Sequence, residues 1–107
     1  MISGLSATER RFLHDEVIQP LQRAGYRVWC FGSRARGDER RFSDVDLLVS
    51  GDGNPRRLVG AIEERLVDSN FPYKVDIVIE SELAEAYRDR VLRERTPLDV
   101  RGLSERC

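Results

Sequence analysis

An apolar run, Val28-Trp29-Cys30-Phe31, stops at Gly32-Ser33; after ten intervening residues Asp44-Val45-Asp46 opens a second apolar run, Leu47-Leu48-Val49. This pattern constrains the chain more than any other. A run that is apolar on both faces fits a central strand, and glycine at its end permits a sharp turn where backbone can approach a ligand closely. Strand side chains alternate between faces. Asp44, Asp46 and Leu48 therefore share one face, and Val45, Leu47 and Val49 the other. A third strand is expected over 73–79, with Asp76 and Val78 opposite Val75, Ile77 and Ile79.

The remaining segments read as helices and turns. Ser6 and Glu9 form a capping box for a helix with Leu13, Val17 and Leu21 on one face and Gly25 as its terminator. Pro20 predicts a kink or break in that helix. Residues 34–42 read as a short helical turn plus loop. Asn54 and Pro55 suit the N-cap and first position of a helix that presents Leu58, Val59, Ile62 and Leu66. Ser81 is expected to cap a last, arginine-rich helix that Pro97 stops. Its arginines are expected to form a solvated face. The order is α-β-(α)-β-α-β-α, the pattern of a small α/β domain. A single domain over 1–107 is expected, with its core over 6–92 and an irregular tail over 97–107.

Composition narrows the function classes. The 107 residues carry 18 basic and 19 acidic side chains, a formal charge of −1. Such a balance gives no basic footprint for nucleic acid. Apolar runs fall short of the roughly 18 residues that span a membrane. Residues 1–4 lack the basic and apolar regions of a signal peptide, so a cytoplasmic location is expected. Cys30 and Cys107 are too few for a disulfide framework or a zinc site. The lone histidine, His14, lacks companions for a triad or a metal site. Tyr26, Tyr73, Tyr87 and Trp29 read as core or interface packing, because they do not alternate with basic residues along one strand.

The candidate chemistry lies with the carboxylates. Like charges at the edge of a core repel, and burial penalises each of them. A divalent cation relieves both costs, because hard cations take carboxylate oxygens. Two such ions about 3.5–4 Å apart clamp the attacking and leaving oxygens of a phosphoryl displacement. Gly32 and Ser33 offer amides and a hydroxyl to phosphate, and Arg34 and Arg36 offer positive charge.

Gly32-Ser33, ten residues, Asp44-x-Asp46 and a later Asp76 resemble the nucleotidyltransferase superfamily with the DNA polymerase β-like fold. The run Phe31-Gly-Ser-Arg-Ala-Arg-Gly37 resembles its minimal nucleotidyltransferase branch. The resemblance covers roughly 6–92 and implies a small mixed sheet flanked by helices. It implies that Asp44 and Asp46 are paired ligands of Mg²⁺, two ions being expected. Asp76 would be the third carboxylate, binding the catalytic metal and helping to activate the attacking hydroxyl. Gly32 and Ser33 would hold the triphosphate. The implied reaction transfers AMP from ATP to a hydroxyl.

Larger members hold the acceptor on a second domain, and the short chain raises the expectation that a partner brings it. Stand-alone relatives resemble antitoxins that adenylylate a tyrosine of a HEPN-domain toxin. Two other readings stay open at the level of sequence. One is transfer to a small molecule such as an aminoglycoside. The other is a non-catalytic module that neutralises a toxin by occlusion.

Overall fold

The first helix begins where its sequence signature places it. Ser6 Oγ accepts the Glu9 amide at 3.1 Å, and Glu9 Oε1 accepts the Ser6 amide at 2.9 Å, which satisfies two otherwise orphaned donors. The computed structural model describes residues 2 and 4–98. α1 (Ala7–Leu13) runs through a π-helical turn, His14–Ile18, into α2 (Gln19–Arg23). The expected break at Pro20 is thus absorbed and helical backbone continues past it. Proline has no amide to give the Glu16 carbonyl. The ladder widens just before it, with the Gln19 amide reaching back to His14 O. Arg65 Nη2 approaches the Glu16 carbonyl at 3.4 Å. Leu13, Val17 and Leu21 are fully buried, as their spacing predicts, and Gly25 follows the helix at φ +97°.

β1 (Arg27–Phe31) leads into the four-residue helix α3 (Ser33–Arg36), and a loop then brings the chain to β2 (Val45–Ser50). α4 (Arg56–Val67) crosses over to β3 (Val75–Ile79). The N-cap of α4 is Pro55, one residue later than expected. Asn54 still contributes, its side-chain oxygen accepting the Arg56 amide at 3.1 Å. After β3 the chain turns through a 3₁₀ segment, Glu80–Glu82, closed by the Leu83 amide on Glu80 O at 3.1 Å. Ser81 therefore sits inside that turn and caps nothing. α5 (Glu85–Glu94) starts later, from Ala84, with no side-chain cap.

A fourth strand corrects the sequence reading of the tail. β4 (Thr96–Pro97) pairs antiparallel with β1, Cys30 opposite Thr96 and Trp29 opposite Pro97. An edge position tolerates a proline that has no amide to donate. Leu98 continues the pairing with its amide on Val28 O at 3.0 Å and is buried. The rest of the expected irregular tail, 99–107, lies outside the described residues.

The sheet order is β3-β2-β1-β4. β1 is antiparallel to both neighbours, while β2 and β3 are parallel through the α4 crossover, so the sheet is mixed. One face carries Val28, Cys30, Val45, Leu47, Val49, Ile77 and Ile79 and packs against Leu13, Val17, Ile18, Leu21, Val59 and Ile62 of the helices. The other face carries Phe31, Asp46, Asp76 and Val78, which line a cleft together with residues of α5. Among the described residues no helix is long and apolar enough to cross a membrane. Leu47 is fully buried at the centre of the core. Leu47→Ala should cost about 2–5 kcal/mol of stability, measured as a lowered denaturation midpoint in urea with an unchanged slope.

Candidate active site

Three local devices bring the site together. The first is strand register. β2 and β3 run parallel with Asp46 level with Asp76, and β1 ends with Phe31 opposite Asp46. Two carboxylates from separate strands thus reach the same face at the same height. The second is the turn after β1. Gly32 adopts φ +79° and ψ −161°, a backbone that L side chains rarely take. A Cβ added there would collide with Asp46 Oδ2. Only glycine lets this backbone pass so close to the carboxylate. The third is α5, whose Tyr87, Arg90, Val91 and Glu94 recur at helical spacing along the opposite wall.

Between them lies a cleft of about 470 Å³, within the size range of small-molecule sites. Gly32, Ser33, Arg36, Asp46 and Asp76 are all at its wall. The Ser33 hydroxyl makes no hydrogen bond among the described residues. Arg36 is held from two sides, by Asp38 at 3.2 Å and by Glu94 at 2.9 Å. The Arg36–Glu94 pair ties α5 to the turn that follows β1, and within α5 Glu94 also takes Arg90 at 3.4 Å.

Two expected site residues lie elsewhere. Asp44 precedes β2, is exposed and does not line the cleft. Its charge nevertheless acts on Asp46. Arg34 is the larger departure. It is 1% exposed, and its Nε and Nη2 donate to the Ser43 carbonyl at 3.0 and 2.9 Å. Its guanidinium lies 4.5 Å from the centre of the Tyr73 ring. A place in the interior replaces the phosphate contact expected of it. Sequence geometry carries the reason: residues two apart on a helical turn face different ways, so Arg34 and Arg36 cannot both meet one ligand.

The aromatic residues divide as well. Tyr26 and Tyr73 pack against the core, and Trp29 carries Arg95 over its ring at 3.9 Å. Tyr87, expected to pack, is instead exposed and lines the cleft. The stripe from Tyr87 to Glu94 was visible in the sequence as a helical period, masked there by the density of charge around it.

The electrostatics follow from this placement. Burial, then the charges of Asp76 and Asp44, raise Asp46 from 3.8 to about 6, against smaller opposing effects of Arg36 and Lys74. The donor chemistry fits a hard divalent cation: carboxylate oxygens from two strands under mutual repulsion, one of them reluctant to ionise alone. Asp46 and Asp76 are the pair the fold delivers. Among the described residues no three acidic, histidine or cysteine side chains converge as a ready-made cluster.

A raised carboxyl pKa means that the folded state holds the proton more tightly than the unfolded chain. Stability is therefore lost as pH climbs from about 4 through 6, and the full cost is present above that. Without divalent cations, Asp46→Asn should stabilise the protein by about 1 kcal/mol at pH 7.5, allowing for solvent screening of a partly exposed group. At pH 3.5 the gain should vanish; melting temperatures at the two pH values check this. Gly32→Ala should destabilise by about 1–3 kcal/mol through its backbone angle alone, and urea denaturation measures it.

Comparison with known proteins agrees with this architecture. Residues 13–99 match the model of the nucleotidyltransferase domain family. A Thermococcus cleftensis protein described as "Protein adenylyltransferase MntA" is 35% identical over 74 residues, covering 68% of this chain and 75% of that protein. A Haemophilus influenzae protein described as "Probable protein adenylyltransferase MntA" is 30% identical over 66 residues, covering 60% of this chain. That match spans 57% of the Haemophilus protein's length. A solved structure described as a candidate minimal nucleotidyltransferase superposes with a TM-score of 0.66 at 36% identity, covering 90% of this chain and 99% of its own. A crystal structure described as a toxin-antitoxin with AMP-PNP shares the fold, with a TM-score of 0.60 at 19% identity over 78% of this chain and 70% of that one. With a family match across most of its length and a cleft built from the motif residues themselves, the chain belongs to the nucleotidyltransferase domain family.

Proposed function

We propose that this protein is a Mg²⁺-dependent nucleotidyltransferase that moves AMP from ATP to a hydroxyl of a partner protein, a tyrosine of a HEPN-domain toxin. The observation that carries the proposal is the placement of Asp46 beside Asp76 in one cleft with the Gly32-Ser33 turn. The relatives described as protein adenylyltransferases support a protein acceptor, and the fold shared with a toxin-antitoxin structure supports a toxin as that acceptor.

In this reading Gly32 and Ser33 hold the triphosphate, and Arg36 exchanges one of its carboxylate partners for phosphate oxygen. Asp46 and Asp76 would hold the magnesium, with Asp44, outside the cleft wall, adding its charge. Magnesium bound there would neutralise charge on the phosphate oxygens and favour ionisation of the attacking hydroxyl. The hydroxyl oxygen attacks the α-phosphorus of ATP. A new oxygen–phosphorus bond forms as the bond from the α-phosphorus to the bridging oxygen breaks. Pyrophosphate leaves with that electron pair, and the hydroxyl proton passes to an Asp76 carboxylate oxygen. Asp46 must give up its proton to hold the metal, so Mg²⁺ affinity should rise with pH through about 6.

The test uses ATP labelled either at the α- or at the γ-phosphate, with Mg²⁺ and, as acceptor, the product of the neighbouring gene. Label from the α-position should appear on the partner and label from the γ-position should not. Asp46→Asn and Asp76→Asn should each reduce transfer at least about a hundredfold. An unlabelled partner, or label arriving from the γ-position, would contradict the proposal.

A further inference from the structure

The cleft is chemically divided. Gly32, Ser33, Arg36, Asp46 and Asp76 line it beside Glu94, which meets Arg36, while Tyr87 lies about two helical turns back along α5 from Glu94, with Arg90 and Val91 between them and Val78 and Leu83 also in the lining. Tyr87 stands out. Its residue is 61% exposed, although Val91, one turn further along α5, is buried. Phe42 and Val67 are also large and exposed, and neither lines the cleft. Phe12 stacks on Phe71, Tyr73 meets Phe71 and Arg34, Trp29 meets Arg95 and Phe42 meets Arg41, while Tyr26 and Phe31 lack such partners but are partly buried. Among the described residues the Tyr87 ring has no aromatic or cationic partner and its hydroxyl no hydrogen bond.

A nucleoside triphosphate has the same division, with a flat apolar base at one end and its charge at the other. The Glu94–Arg36 ion pair at 2.9 Å anchors α5 to the turn beside Ser33, which fixes the separation between Tyr87 and that turn. We infer that Tyr87, flanked by Leu83 and Val78, is the platform on which the nucleobase stacks, with its ring as the contact. The inference rests on the nucleotidyltransferase reading and adds to it the residue that receives the base. Stacking uses a ring face and needs no hydroxyl, so the hydroxyl is dispensable.

Equilibrium binding of ATP and of inorganic tripolyphosphate to the intact chain, with Mg²⁺, tests this. Tyr87→Ala should weaken ATP about tenfold and leave tripolyphosphate within about twofold, which also reports an intact fold. Tyr87→Phe should bind ATP as the parent does. If Tyr87→Ala binds ATP normally, the platform is elsewhere and the nucleotidyltransferase reading stands. If Tyr87→Phe is as damaging as Tyr87→Ala, the hydroxyl matters and stacking is overturned. If the parent binds neither ATP nor tripolyphosphate, both readings fall together.

Discussion

The pairing of β2 with β3 is the constraint from which the rest of the site follows. Strand parity alone would place Asp46 and Asp76 each on the less apolar face of its own strand. Parallel register then sets them level with one another. The α4 crossover keeps that register because Val59 and Ile62 are buried in the core with Leu47, Ile77 and Ile79. A slip of one residue would turn those apolar side chains outward. The hydrophobic effect therefore holds two like charges side by side against their repulsion, and the core stabilises an arrangement that the carboxylates oppose.

The surrounding residues make sense as supports for that pair. Gly32 brings backbone against Asp46 at a distance no side chain would allow. Arg34, packed under the turn, joins α3 to the Ser43 carbonyl and to Tyr73, and so ties together the two ends of the segment between β1 and β2. On the far wall, Glu94 connects α5 to Arg36. Most of the cleft wall belongs to a strand or a helix, with Gly32 and Leu83 in the short connections beside them. Sites carried on such elements hold their geometry with little reorganisation.

Much of this was legible in the sequence, and the failures have identifiable causes. Alternation placed Asp46 and Asp76 correctly because a buried face leaves a strand no freedom of parity. The capping box at Ser6 was readable because it is local. β4 was not: two residues including a proline carry no strand signal, and their pairing with β1 is a tertiary fact. The start of α5 was misplaced because Ser81 looks like a cap, whereas the chain leaving β3 needs a tight turn first. Arg34 was misread because a charged residue beside a phosphate-type turn suggests a ligand. Its burial depends on the Ser43 carbonyl at the other end of the motif and on the distant Tyr73, contacts that only the folded chain makes. Tyr87 was assigned to core or interface packing because it does not alternate with basic residues along a strand, a test that says nothing of an aromatic on a helix.

Asp46 and Asp76 are held together against a repulsion that a bound cation would relieve. The direct measurement is the titration of the Asp46 carboxyl by carbon-detected NMR, with and without Mg²⁺. The account predicts a midpoint near 6 without the metal and a marked fall when Mg²⁺ is present, since a bound cation favours the ionised form. An Asp46 that titrates near 4 and ignores Mg²⁺ would contradict it.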